Sequence, residues 1–211
     1  MGELKALGIR NVPVTTVGEK VVVGFNREEL TRLFGLSEKS ERRAADRSFF
    51  ATFDKILEAL IRAARQVPPG KVDWRTPDRD RTLKVFCYHI FADPNHVLEA
   101  ISIQRYDGSF KLTYPESAER FHTMQEIAQF GEQTRARVAD AGKRLTSTEL
   151  ERSIDGYAGE TDGHRLLYQV LSHTAHHLIQ LYAMLSMVGV EPIDPLPAEG
   201  FRGISMPKEL W

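Results

Sequence analysis

The sequence predicts an all-α protein, a four-helix bundle preceded by a small N-terminal β-hairpin plus helix. Two observations predict the bundle: apolar residues recur at helical spacing in four long segments after Glu38, and Pro- and Gly-containing breaks separate those segments. A third marks the start of the chain, where short β-branched runs are confined to about the first 36 residues.

Residues 1–36 form the first unit. Val12-Pro13-Val14-Thr15-Thr16 and Lys20-Val21-Val22-Val23, joined through Val17-Gly18-Glu19, read as a hairpin. Asn26 is placed to cap a following helix, with Glu28 and Glu29 in its first turn, Leu30, Leu33 and Phe34 on its apolar side, and Gly35 as its stop.

Residues 37–190 form the bundle. Its first segment, about 41–66, carries Phe49, Phe53, Ile56, Leu57, Leu60 and Ala64 at helical spacing and stops at Pro68-Pro69-Gly70. The second, about 78–104, carries Leu83, Phe86, Ile90, Val97 and Ile101. Pro94 lies inside it, where a kink and a freed Ile90 carbonyl are expected. The third runs from Pro115, near its N1 position, to about Lys143, with Gly142 near its end. Phe121, Met124, Ile127, Ala128, Gly131, Thr134 and Val138 make a single stripe along it. The fourth, about 162–188, ends before Gly189. Long helices joined by moderate loops make an antiparallel bundle the natural architecture, in a simple up-and-down order. The tail, 191–211, is rich in Pro and Gly and reads as irregular, with Phe201, Ile204 and Trp211 available to dock it.

Composition narrows the function. A length of 211 residues supports one sizeable core, and 28 Lys+Arg against 29 Asp+Glu leave a net charge of −1, which points to no nucleic acid or polyanionic partner. No apolar run approaches the roughly 20 residues that span a bilayer, so no membrane role is expected. The first residues do not read as a signal peptide, and Cys87, the single cysteine, can form no intramolecular disulfide. A reducing, cytoplasmic setting is the expectation.

Chemistry concentrates in Ser172-His173-Thr174-Ala175-His176-His177. His173 and His177 stand at i and i+4, about 6 Å apart along a helix and on one face. They occupy consecutive slots of the stripe Leu166, Val170, His173, His177, Leu181, Met184, Val188, whereas His176 falls with Gln169, Ser172 and Gln180 on the polar margin. Two successive core histidines bring two donors and two acceptors that must all be paired, and a metal ion satisfies one nitrogen of each. His89, among Val85-Phe86-Cys87-Tyr88-Ile90-Phe91, is the best third ligand. His96, about 10 Å further along the axis, reads as solvated. Asp93, one turn after His89, can orient that ring or serve as an alternative ligand. Cys87 reads as a buried small hydrophobe facing away, and Tyr88, Glu99 and His122 as packing or surface residues.

One histidine on the second helix, preceded by Arg81-Thr82-Leu83, and His173-x-x-x-His177 on the fourth, followed by Gln180, resemble the DinB-like (YfiT-like) superfamily over about residues 40–190. That resemblance implies an up-down-down-up bundle in which His89, His173 and His177 bind a divalent metal. Leu7 to Val14, then Gly18-Glu19 and Val23-Gly24-Phe25-Asn26, resemble the C-terminal half of a glutaredoxin. No Cys-x-x-Cys occurs, so this glutaredoxin-like remnant cannot carry dithiol redox chemistry and is expected to serve as an arm on the bundle or to mark a longer ancestor.

Three imidazoles leave a divalent ion with open positions, the pattern of a catalytic site. Zinc or nickel is expected first, iron or copper next. Members of the resembled superfamily include thiol-dependent isomerases and S-transferases. The leading expectation is therefore a metal-dependent enzyme that activates a low-molecular-weight thiol for transfer to an electrophile or for isomerisation. His89, His173 and His177 are its ligands, with Gln180 or Asp93 supporting them. A hydrolase using metal-activated water, or a non-catalytic metal-binding stress or dimerisation module, are the alternatives. A homodimer, through a bundle face or the N-terminal arm, is also expected.

Overall fold

The computed structural model describes residues 14–18, 20–23, 30, 33–34, 47–77, 79–207 and 209–210. The molecule is mainly helical. Strands β1 (Val14–Val17) and β2 (Lys20–Val23) form the expected antiparallel hairpin, in register Val14↔Val23 to Val17↔Lys20. Leu30 and Leu33 are helical and the Phe34 amide donates to the Leu30 carbonyl at 2.9 Å, as the first short helix requires. Pro13, Asn26, Glu28, Glu29 and Gly35 lie outside the described residues.

Four long helices follow: α1 (Arg47–Ala64), α2 (Leu83–Ile103), α4 (Met124–Arg144) and α6 (Gly163–Met187). Capping sets where they start. Thr82 Oγ1 accepts from the Val85 amide at 3.2 Å, so α2 begins at Leu83 and not near residue 78. The Leu83 and Lys84 amides donate instead to the Trp74 and Val72 carbonyls, which gives two otherwise orphaned groups partners in the preceding loop. At α6, Asp162 Oδ1 accepts from the Arg165 amide at 2.9 Å.

The third segment is not one helix. A short α3 (Tyr114–Ala118) stops, the chain turns through 119–123, and α4 starts afresh at Met124. Thr123 and Glu126 explain the break: each side chain bonds the other's backbone amide, a capping box that sets a helix start at that point. Gly142 does stand near the C-terminus of that helix, which ends at Arg144. It lies inside α4, where a Cβ would come within 2.7 Å of the Phe50 ring.

Helix directions follow from who touches whom. Phe50 meets Gly142, and Asp54 pairs with Arg135 at 2.6 Å, so α1 and α4 run antiparallel. Tyr88 stacks on Phe130 and Asn95 bonds Thr134, so α2 and α4 run parallel. Phe86 meets His177 and Asp93 meets His173, so α2 and α6 run antiparallel. Arg62 and Gln66, at the end of α1, bond Asp194 and Ile193 just beyond α6, which puts those two C-termini at one end. The order is up, down, down, up, and α1 packs on α4 and α6. This corrects the simple up-and-down expectation. The connections 65–82 and 145–162 each carry structure of their own and cross the end of the helices to a non-adjacent position.

A second small sheet escaped the sequence reading. β3 (Arg105–Tyr106) pairs in parallel with β4 (Ser153–Gly156), which forms a hairpin with β5 (Gly159–Asp162) after the short helix α5 (Ser147–Leu150). Leading straight into α6, it buries Ile154 and brings Tyr157 over the α2–α3 connection. The main core lies between the long helices around Phe53, Phe86, Phe91, Ile127, Leu167 and Leu181. The tail packs rather than wanders. Phe201, Ile204 and Met206 lie against that core, and the Ser205 amide donates to the Tyr168 hydroxyl at 3.0 Å. Trp211 lies outside the described residues. Among the described residues no helix is long and apolar enough to cross a membrane.

Candidate metal centre

The antiparallel pairing of α2 and α6 brings His89, from mid-α2, against His173 and His177, one turn apart on α6. Among the described residues these three are the one group whose ligand atoms could share a metal ion, all lying within 4.8 Å of one another. His89 and His177 are buried, and the edge of the Phe86 ring closes on His177 at 5.1 Å between centroids. His173 keeps 38% of its side chain accessible, so the group is open on that flank alone.

All three Nε2 atoms point inward. His177 Nε2 lies 2.8 Å from His173 Nε2, and His89 Nε2 lies 3.4 Å from the same atom. All three Nδ1 atoms point outward to acceptors: His89 to the Phe86 carbonyl at 3.2 Å, His173 to Asp93 Oδ2 at 3.1 Å, and His177 to Gln180 Oε1. Arg81 Nη1, which can only donate, also lies 3.1 Å from His89 Nδ1, so that nitrogen gives its proton to the Phe86 carbonyl in one tautomer and accepts from Arg81 in the other. In the tautomer that keeps all three protons outside, three lone pairs face one another in a buried space. A cation between them removes that repulsion, and the outward Nδ1–H bonds are the usual support of histidine ligands. Three histidines are thus positioned to hold a metal ion.

Electrostatics keep the rings of His89 and His177 neutral. Burial pushes His89 down to about 3, with Asp93 opposing only in part. His177 is driven well below the ordinary histidine range by burial and then by His173 and His89. Burial would raise the Asp93 carboxyl, but the hydrogen bond from His173 and the neighbouring histidines outweigh it and hold it low.

The supporting residues differ in part from expectation. Asp93 orients His173, not His89: it reaches His89 only at Nε2, 3.7 Å away, because an i, i+4 carboxylate on the same helix cannot reach round to Nδ1. Its other oxygen accepts the Tyr114 hydroxyl. Gln180 is buried and not at a polar margin, because the tail covers it. Its Nε2 donates to the Leu210 carbonyl at 2.5 Å, which leaves Oε1 facing His177. His176 stands apart, its ring 5.9 Å from that of His177. His96 is half-buried rather than solvated, stacked on Phe110 at 4.0 Å. Cys87 is fully buried and its thiol is pushed up to about 12. Tyr88 packs in the core, while Glu99 and His122 are exposed. Val188 lies past the end of α6 rather than on its stripe. Arg81, Tyr114 and the Leu210 carbonyl were missed as contributors. Arg81 belongs to the Arg81-Thr82-Leu83 motif, but the other two carry no local signal, since only the folded chain brings them near.

Beside the open flank lies a cavity of about 530 Å³, with His89, Asp93 and His173 in its wall. Compared with protein-family models the chain matches none, and no curated protein matches it either.

Proposed function

We propose that the chain is a DinB-like four-helix-bundle metalloprotein, in which His89, His173 and His177 hold one divalent ion. On this reading it is a metal-dependent enzyme that activates a low-molecular-weight thiol for transfer to an electrophile. The observation that carries it is the inward convergence of three Nε2 atoms, each ring's Nδ1 facing an oxygen on the outside, beside a cavity. The up-down-down-up order of the long helices supports the family assignment. Zinc or nickel suits three imidazoles, with iron or copper as substitutes. Bound there, such an ion acidifies a thiol or polarises a carbonyl presented from the cavity.

The chain's own residues supply the rest. Asp93 holds the half-exposed His173 in register, and Gln180 does the same for His177. Phe86 and the apolar faces of α2 and α6 exclude water from behind the rings.

Metal-loaded protein incubated with glutathione and a chlorodinitrobenzene-type electrophile tests the activity. Metal-dependent thiol consumption, lost in His173→Ala and kept in His176→Ala, is expected. A protein that holds its ion yet consumes no thiol with any electrophile tried is a binding module and not this enzyme.

A further inference from the structure

The wall of the cavity beside the triad is sorted by chemistry. Val97, Leu166 and Val170 line it with apolar surface, and Tyr106 and Tyr157 bring aromatic rings, 5.7 Å apart between centroids. Three cations, Arg79, Arg81 and Lys111, also line it, against two carboxylates, Asp80 and Asp93. Both carboxylates are already engaged. Asp80 pairs with Arg75 at 2.7 Å, and Asp93 takes His173 and Tyr114. Lys111 donates to the Tyr157 hydroxyl at 3.0 Å and lies 4.7 Å from the centre of that ring, so it faces a neutral partner. The cavity therefore combines an excess of positive charge with an apolar and aromatic wall, and two of the triad histidines form part of it.

We propose that this cavity binds a small organic anion, its ionised group held by Arg79, Arg81 and Lys111 and its apolar body lying on the Val97–Leu166–Val170 wall beside His89 and His173. The proposal rests on the triad reading for its mechanistic meaning, since it names the substrate class that the centre acts on. A guanidinium pair with an ammonium matches the planar oxygens of a carboxylate and equally those of a phosphate monoester. A volume of about 530 Å³ accommodates a ligand of metabolite size. The small sheet belongs to this design: Gly108, at φ +72°, leaves room for the Tyr157 ring, which a Cβ there would meet at 2.8 Å.

Ligand-observed NMR titration of the full chain, with and without added zinc, tests the idea using 3-phenylpropanoate, phenyl phosphate and the neutral 3-phenylpropanamide. At least one anion should bind ten-fold or more tighter than the amide, and tighter still with zinc present. Whichever anion wins identifies carboxylate or phosphate as the natural group. The exposed pair Arg79→Gln with Lys111→Gln should erase that preference while leaving zinc uptake unchanged. Equal binding of the amide, a preference that survives the double substitution, or no binding of any probe at 10 mM would overturn the proposal. Anion preference in a protein that takes up no zinc would instead overturn the triad reading and leave the cavity assignment standing.

Discussion

Helix α2 carries two buried polar clusters on different flanks, and they are built on opposite rules. Toward α4, Asn95 Nδ2 donates to the Phe91 carbonyl at 3.1 Å and to Thr134 Oγ1 at 2.7 Å, and Thr134 Oγ1 donates to the same carbonyl at 3.0 Å. Every hydrogen there has an acceptor, and the cluster feeds a backbone group beside Pro94. The proline was expected to free the Ile90 carbonyl. It is the Phe91 carbonyl, one residue on, that takes up the side-chain donors. Toward α6, the Nδ1 atoms of His89, His173 and His177 all face outward to oxygens while their three Nε2 atoms face each other. A cluster whose hydrogens all end on the fold's own acceptors, with Asn95 Oδ1 left unpaired, is a repair to the fold, whereas one that turns its ring nitrogens inward is a socket.

The largest expected effect separates the two flanks completely. Alanine at His89, His173 or His177 should abolish stoichiometric metal in untagged protein, and His176→Ala should not, as plasma emission analysis would record. On the other flank, Thr134→Val removes a donor and leaves Asn95 and the Phe91 carbonyl short of a partner. A loss of about 1–3 kcal/mol of stability is expected by denaturant unfolding, with metal affinity unchanged. If Thr134→Val weakened metal binding as well, the two clusters would not be independent.

Asp93→Asn should lower metal affinity about 10–100-fold in chelator competition, with the fold retained, because the amide orients His173 less well than a carboxylate. Removing residues 207–211 releases the Gln180 amide from the Leu210 carbonyl. A smaller fall in affinity, up to about ten-fold, is expected there, and Gln180→Leu should match it. An intact affinity after truncation would show that the tail plays no part in holding His177.

A further effect is one of pH in the metal-free protein. Unfolded histidine takes up its proton near 6.5, while buried His89 resists until about 3. The stability tied to its neutrality is therefore complete above 6.5 and drains away as the pH falls from 6.5 toward 3. Thermal unfolding across that window should show the decline, and His89→Phe should reduce it, leaving the share that His177 contributes.

How much of this was legible in the sequence depended on range. The i, i+4 spacing of His173 and His177 and their place on an apolar stripe were enough to set His176 aside, and the same facing logic selected His89. Local chemistry could have supplied more than was taken from it. Thr123-x-x-Glu126 is a capping signal that breaks the third segment, and Asp155-Gly156-Tyr157-Ala158-Gly159 is a turn between the strands of the second sheet. What lay beyond reach was everything set by helix pairing. That Asp93 would serve a histidine on another helix, or that the tail would bury Gln180, depends on α2 lying antiparallel to α6 and on Ser205 and Leu210 lying back against α6.

The most direct test is the coordination of the ion itself. Zinc-loaded, untagged protein examined by X-ray absorption should show one ion per chain with three imidazole nitrogens at about 2.0–2.1 Å and a lighter-atom ligand completing the shell. A shell with fewer than three imidazoles, or a full imidazole shell that persists in His173→Ala, would contradict a centre built on His89, His173 and His177.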